Sequence, residues 1–366
     1  MSIILFILIL AFLIFVHELG HFIVAKKSGV RVDEFAIGFS PKIFGWKRGE
    51  TSYVLNLIPF GGYVKIFGEN PDEDSIAGPD KSRSFVNAKK WKQALILVAG
   101  ISFNLIAAWI LLSISFMSGL TTSVQDSYAK YAHDPHVLVT YIQKDSPASK
   151  AGIIAGDRII SLQSGQILLA TSSLSIASVQ KTVGESGGII NLVLQSPTAT
   201  SSRLVNVEAK EGTVAGKKML GIGMDMVGTV KLPFFIAFGQ GAKLTAYMVK
   251  DTAVGLAVFA YDAFRGHGDF SQVTGPVGIV GLVGEAQKLG IIYLLSFTAF
   301  ISINLAVINL IPFPALDGGR LLFVAIEAVT RRQIPVKVAN VLNTIGFLLL
   351  ILLMVVVSVK DVIRLF

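Results

Sequence analysis

The chain has 366 residues, of which 52% are hydrophobic and 15% charged, with a formal net charge of +8 and no cysteine. Soluble domains carry roughly a quarter of their residues as charges, so this composition, with a mean hydropathy of +0.66, excludes an ordinary soluble fold and points to lipid. Lack of cysteine excludes disulfides, thiolate metal ligands and a cysteine nucleophile, and the basic residues form no aromatic-interleaved stripe for nucleic acid.

In chain order, Ile3 to Val16 is an unbroken apolar run that continues through His17-Glu18-Leu19-Gly20-His21 and Phe22-Ile23-Val24-Ala25 to Lys26-Lys27. No basic segment precedes it and no small-residue cleavage site follows, so a retained transmembrane helix is expected rather than a removable leader. A bilayer-crossing helix needs about 20 largely apolar residues. Four stretches qualify: 2–25, 94–118, 291–312 and 341–359. Between the first two, Thr51 to Pro59 and Gly61 to Ile66 alternate in polarity and predict a small β-hairpin. The polar, acidic stretch 69–83 is expected to be mobile.

Residues 136–212 read as a β-rich domain, with Val137–Ile142 and Ile189–Leu194 as strands, a short helix at Ala148–Ala151, and turns at Gly152 and Gly156-Asp157. From Pro233 to Arg265 a broad apolar helical face is interrupted by Lys243, Lys250 and Asp251. That pattern suits an amphipathic helix in the membrane interface, the alternative being a helix packed on the β-rich domain. Residues 26–92 hold twelve Lys or Arg and 313–337 hold four, whereas the longer span 119–290 holds fourteen, thinly spread. The denser loops belong in the cytoplasm, with 119–290 and both termini outside.

His17 and His21 are spaced i, i+4, so on a helix both imidazoles share one face and can bind one Zn²⁺. Glu18 between them can deprotonate a water whose pKa zinc lowers towards ~7, and can then pass the proton to a leaving amine. Such pentads occur by chance on soluble helices. In an apolar helix, however, three ionisable groups without partners would cost several kcal/mol. A catalytic zinc takes three protein ligands, and His133, His136 and His267 fall in the external span. Asp317, after Pro312 and Pro314 and before Gly318-Gly319, follows the third apolar stretch at the same end as the histidines. The competing reading of Asp317 is an ordinary turn residue capping the next helix.

His17-Glu18-Leu19-Gly20-His21 and Leu316-Asp317-Gly318 together resemble the site-2 protease family of intramembrane zinc metalloproteases. Gly61-Gly62-Tyr63-Val64-Lys65, Gly100-Ile101-Ser102-Phe103-Asn104 and Gly275-Pro276-Val277-Gly278-Ile279 resemble its regulator of sigma-E protease branch. Ser146 to Ile160 resembles part of a PDZ domain; the well-known members of that branch carry two in tandem, and this chain shows one. The resemblance covers nearly the whole chain. It implies His17, His21 and Asp317 as zinc ligands, Glu18 as the base, and Gly61, Gly62, Tyr63 and Val64 on a membrane-dipping β-loop that pairs with an unwound substrate. Asn104 would orient substrate or stabilise the oxyanion, or else only bond between helices.

The implied fold is a polytopic α-helical membrane protein with four transmembrane helices, a membrane-associated β-hairpin and an inserted β-rich PDZ-like domain. Its expected divisions are 1–120 (first two spans and β-loop), 121–232 (extracytoplasmic region, PDZ-like over 136–212), 233–290 (membrane-interface region) and 291–366 (last two spans). The implied activity is cleavage within the membrane segments of single-pass proteins, such as an anti-sigma factor or a signal-peptide remnant, in a bacterial cytoplasmic membrane. Expected partners are those substrates, the lipid bilayer and a peptide at the PDZ-like groove, with no nucleic acid. A zincin using a glutamate ligand would draw on Glu285 or Glu327; a catalytically inactive PDZ-bearing scaffold and a transporter are the non-protease alternatives.

Overall fold

A computed structural model describes residues 2–124, 126–170, 173–196, 201–211, 218–268 and 273–363. The elements run α1 (Ser2–Lys27), β1 (Val32–Arg48), β2 (Thr51–Ile66), α2 (Glu73–Ala77), α3 (Lys90–Ser118), β3 (Leu120–Ser123), β4 (Ala132–Ile142), α4 (Pro147–Lys150), β5 (Arg158–Ser164) and β6 (Ile167–Ala170). They continue as α5 (Ile176–Gly184), β7 (Ile189–Gln195), β8 (Ser202–Glu208), β9 (Lys210–Glu211), β10 (Lys218–Met219), β11 (Ile222–Val230), α6 (Phe234–Phe264), α7 (Pro276–Leu289), α8 (Ile291–Leu310), α9 (Asp317–Thr330) and α10 (Val336–Ile363). Two compact units result, Met1–Ser115 with Phe234–Phe366, and Phe116–Pro233.

In the first unit, α1, α3, α8 and α10 are long and apolar enough to cross a bilayer. Their unpartnered surfaces are apolar: on α10, Leu348, Leu352 and Val356 are all more than half exposed, as suits side chains facing lipid, where nothing polar needs water. One buried cluster joins Ala25 of α1, Phe35 and Val64 of the sheet, Ile96 and Leu97 of α3 and Val324 of α9. A second joins Ala108 and Leu112 of α3 to Ile303 and Val307 of α8, with Leu244 and Met248 of α6 against it.

The sheet is larger than the expected hairpin. Phe35 of β1 is partnered both by Tyr53 and by Val64, so Glu34–Ile37 lies between two parts of β2, while Phe44–Arg48 folds back on Thr51–Leu55. Gly62–Ile66 therefore forms an outer edge. The stretch 69–83 carries ordered local structure. Asp72 and Ser75 make a reciprocal capping box on α2, and Arg31 reaches across to Asp80.

The amphipathic region forms one helix of 31 residues. α6 packs along α3: Trp109 Nε1 donates to the Phe238 carbonyl at 2.8 Å, and Gly241 sits on Ser113 with no room for a Cβ.

The second unit is built on a seven-stranded sheet ordered β3-β11-β4-β5-β7-β8, with β6 on β5. Its core is Ile159 and Leu162 of β5, three apart across a register shift, and Ile190, Leu192 and Leu194 from the alternating inward positions of β7, all within 1% of full burial, closed by Val179 of α5. β3 and β11 lie outside 136–212, so the domain is larger than its sequence boundaries suggest. Ile222–Asp225 of β11 pairs with β4 on one side only; on the other side the Val124 amide donates to the Met226 carbonyl at 2.7 Å and the β3 pairing starts at Val227. Beside that half-paired segment and α5 lies a cavity of about 830 Å³, lined by Tyr141, Val179, Val183, Leu220, Ile222 and Met224 among others.

Candidate active site

α1 presents His17 and His21 one helical turn apart, and α3 crosses them closely. His21 Nδ1 lies 2.8 Å from the Ile96 carbonyl, Gly20 faces the Ala99 carbonyl, and Gly100 faces both imidazoles. Asn104, one turn further along α3, reaches His17 with Nδ2 3.3 Å from Nδ1. A Cβ on Gly20 would stand 2.5 Å from the Ala99 oxygen, and one on Gly100 would stand 2.3 Å from His21 Nε2. The two glycines thus allow one backbone to pass over the other's histidines.

Asp317 arrives from the other half of the unit. Pro312 and Pro314 end α8, and the chain doubles back so that Gly318 faces the carbonyls of Leu310 and Ile311 while Gly319 faces that of Phe313. Neither position has space for a side chain. α10 holds the loop from outside: Asn343 Oδ1 accepts from the Ala315 amide at 3.2 Å, and Gly346 packs on the Pro314 carbonyl.

The convergence is tight. Asp317 Oδ2 lies 3.0 Å from His17 Nε2 and 3.3 Å from His21 Nε2, and the two Nε2 atoms are 3.1 Å apart. Both histidines are buried, and Asp317 Oδ2 is buried with no donor in hydrogen-bond geometry. Metal–nitrogen bonds of about 2.0–2.1 Å at tetrahedral angles separate ligand atoms by roughly 3.3 Å, so two nitrogens and one carboxylate oxygen here fit one Zn²⁺. Among the described residues this is the one such cluster. Burial alone would raise the Asp317 pKa, but the two imidazoles beside it hold the carboxyl below its ordinary range.

Glu18 points into a cavity of about 670 Å³ shared with Tyr63, Val64, Glu69, Asp317 and Arg320. Gly62 brings the sheet edge against α1, where its Cβ would lie 3.8 Å from Glu18 Cγ. A second cavity, about 280 Å³, lies against Glu18, Asn104, Asn309 and Asp317. Among the sequence candidates, His17, Glu18, His21, Asn104 and Asp317 meet at one place, with Tyr63 and Val64 on the cavity wall; Gly61 lies at the start of the same edge and packs on Phe39. Glu327 is engaged elsewhere, with Lys90 Nζ at 2.6 Å and the Ile334 amide at 2.8 Å, so it is no ligand.

Sequence reasoning missed Glu69 and Arg320. Arg320, three residues past Asp317, pairs with Glu69 across the cavity; burial pushes the Glu69 carboxyl up, against the opposing pull of Arg320. The available signal was the i, i+3 spacing that puts Arg320 on the Asp317 side of α9.

Comparison with known proteins agrees over nearly the full length. The family described as Peptidase family M50 matches residues 5–353. A protein of Clostridium perfringens named as a zinc metalloprotease is 35% identical over 353 residues, covering 96% of this chain and 95% of its own. Similarly named proteins of Rhizobium meliloti and Staphylococcus aureus are 31% and 28% identical, covering 98% and 100% of this chain and 95% and 99% of their own.

Proposed function

This chain belongs to peptidase family M50 and is a membrane-integral zinc metalloprotease, and from that premise we propose that it hydrolyses peptide bonds within the transmembrane segments of single-pass proteins. The observation that carries the reading is the meeting of His17, His21 and Asp317 between apolar helices, with Glu18 and the Gly62–Ile66 edge beside them. His17, His21 and Asp317 would hold the metal. Zinc supplies Lewis acidity there, acidifying water and polarising a peptide carbonyl.

Glu18 takes the proton from the attacking water and returns it to the leaving amine. Its place between the ligands leaves it free of the metal set and open to the larger cavity. A helical substrate has its amides and carbonyls paired internally, so it must unwind to expose the scissile bond. The unpaired edge at Gly62, Tyr63 and Val64 offers replacement partners by strand addition. Asp317→Asn is the test: the neutral amide is a poor zinc ligand, so metal content after dialysis against a mild chelator should fall well below one per chain, and cleavage of a model transmembrane peptide should fall with it. Stoichiometric zinc and full activity would make Asp317 a turn residue.

The β-rich unit is read as PDZ-like. Its half-paired Ile222–Asp225 segment beside α5 suits an added peptide strand over an apolar cavity. The bacterial relatives support a bacterial cytoplasmic membrane, and the basic-residue density supports the zinc end inward and this unit outward. Natural lack of cysteine makes single-cysteine labelling clean. A cysteine replacing exposed Gln166 should react with an impermeant maleimide once the outer barrier is opened. One replacing exposed Ala77 should react only after lysis. Ser75, buried in its capping box, is unsuitable. The reverse labelling pattern would invert the topology.

A further inference from the structure

Asn104 is 1% exposed, and its backbone is fixed from the far side, where Ser302 Oγ of α8 donates to the Asn104 carbonyl at 2.8 Å. Its side-chain nitrogen stands 3.3 Å from His17 Nδ1, while its side-chain oxygen is buried with no partner. An orphaned buried acceptor is costly, because it has lost its water and gained no donor. A histidine that gives Nε2 to a metal carries its proton on Nδ1, and that N–H needs an acceptor.

His21 follows this rule, with Nδ1 aimed at the Ile96 carbonyl at 2.8 Å. His17 has Nε2 aimed at the ligand cluster as well, so its Nδ1 must also donate, and an amide NH₂ opposite it would set donor against donor. A half-turn of the Asn104 amide exchanges its oxygen and nitrogen without moving any other atom. It places the orphaned oxygen on His17 Nδ1–H and removes the donor–donor conflict, the amide nitrogen taking the oxygen's former place.

We infer that Asn104 is a positioning residue whose side-chain oxygen accepts from His17 Nδ1–H, holding His17 in the tautomer and ring orientation that present Nε2 to zinc. The inference rests on His17 being a ligand, as proposed above. Ile96 and Asn104 then serve the two histidines from one face of α3, two turns apart. They are a backbone acceptor and a side-chain acceptor in equivalent roles. This differs from binding substrate, which would leave metal affinity untouched, and from gluing helices, which would act on stability alone.

The test is chelator competition for zinc on the purified full-length protein, with steady-state cleavage of a model transmembrane peptide in parallel. Asn104→Leu keeps the volume and removes the acceptor; zinc affinity should fall by about 10–100-fold, with kcat reduced at saturating zinc and KM little changed. Asn104→Asp keeps an acceptor at the same place and should hold zinc within a few-fold of the parent. Should Asn104→Leu not fold, Asn104→Ala carries the same comparison.

Parental zinc affinity in the Leu or Ala variant overturns the inference, whether KM rises or only thermal stability drops. So does equal loss in the Asp variant. His17→Ala separates the two levels: if it also keeps parental affinity, the ligand assignment fails, whereas if it loses zinc while the apolar Asn104 variants do not, only the role of Asn104 fails.

Discussion

Glu18→Gln should lower turnover of a model transmembrane peptide by about 10²–10⁴-fold while leaving one zinc per chain, because removal of a general base costs about that much. The substitution keeps the shape of the side chain and removes its ability to take a proton. Glu18 lies outside the cluster of His17 Nε2, His21 Nε2 and Asp317 Oδ2, so the proposed ligand set is unchanged. It lines the larger cavity with Tyr63 and Val64, so an unwound segment paired along that edge would pass next to it. Because the variant binds without cutting, it should also retain substrates in crosslinking from membranes. Near-parental turnover would remove Glu18 from the mechanism, and loss of zinc would make it a ligand.

The spans and the convergence of His17, His21 and Asp317 are the legible parts, for reasons that are local. An apolar run of about 20 residues has few fates other than a membrane, and an i, i+4 histidine pair fixes its own geometry. Asp317 was legible because prolines before it and glycines after it mark a backbone reversal, which the structure shows as Gly318 and Gly319 packed on carbonyls.

The rest depends on long-range partners. Gly38, Pro41 and Gly45 break the alternation of β1 in sequence; it is a strand because β2 flanks it. The stretch 69–83 looked mobile by composition, but its charges are answered from a distance, by Arg31 to Asp80 and by Arg320 to Glu69. β3 and β11 join the second sheet across more than a hundred residues, a separation no local pattern reveals. The charges of α6 interrupt its apolar face and do not show what it packs against; Ala237, Gly241 and Thr245 form a narrow buried seam. Small residues at every fourth position let helices approach closely.

Gly100→Ala should strip zinc from the protein and abolish cleavage, though the change is a single methyl group 217 positions before Asp317 in sequence. The new Cβ would stand 2.3 Å from His21 Nε2, 2.7 Å from His21 Cε1 and 2.8 Å from His17 Cε1, distances at which something must move. α3 cannot easily yield, because the Ala99 carbonyl already presses on Gly20, Ile96 holds His21 Nδ1, and Ser302 anchors the Asn104 carbonyl. The imidazoles must therefore turn, and turning His21 breaks its bond to Ile96 and carries Nε2 away from Asp317. Overpacking costs a folded protein about 1–3 kcal/mol, which a helical membrane unit of this size can absorb. The expected protein is thus folded, with a modestly lowered Tm, and poor in zinc. Gly184→Ala, at a helix position with open space around it, is the control and should retain metal and activity. Zinc analysis and melting measured on the same samples decide the matter: full zinc and normal turnover in Gly100→Ala would show that the helices part without disturbing the ligands.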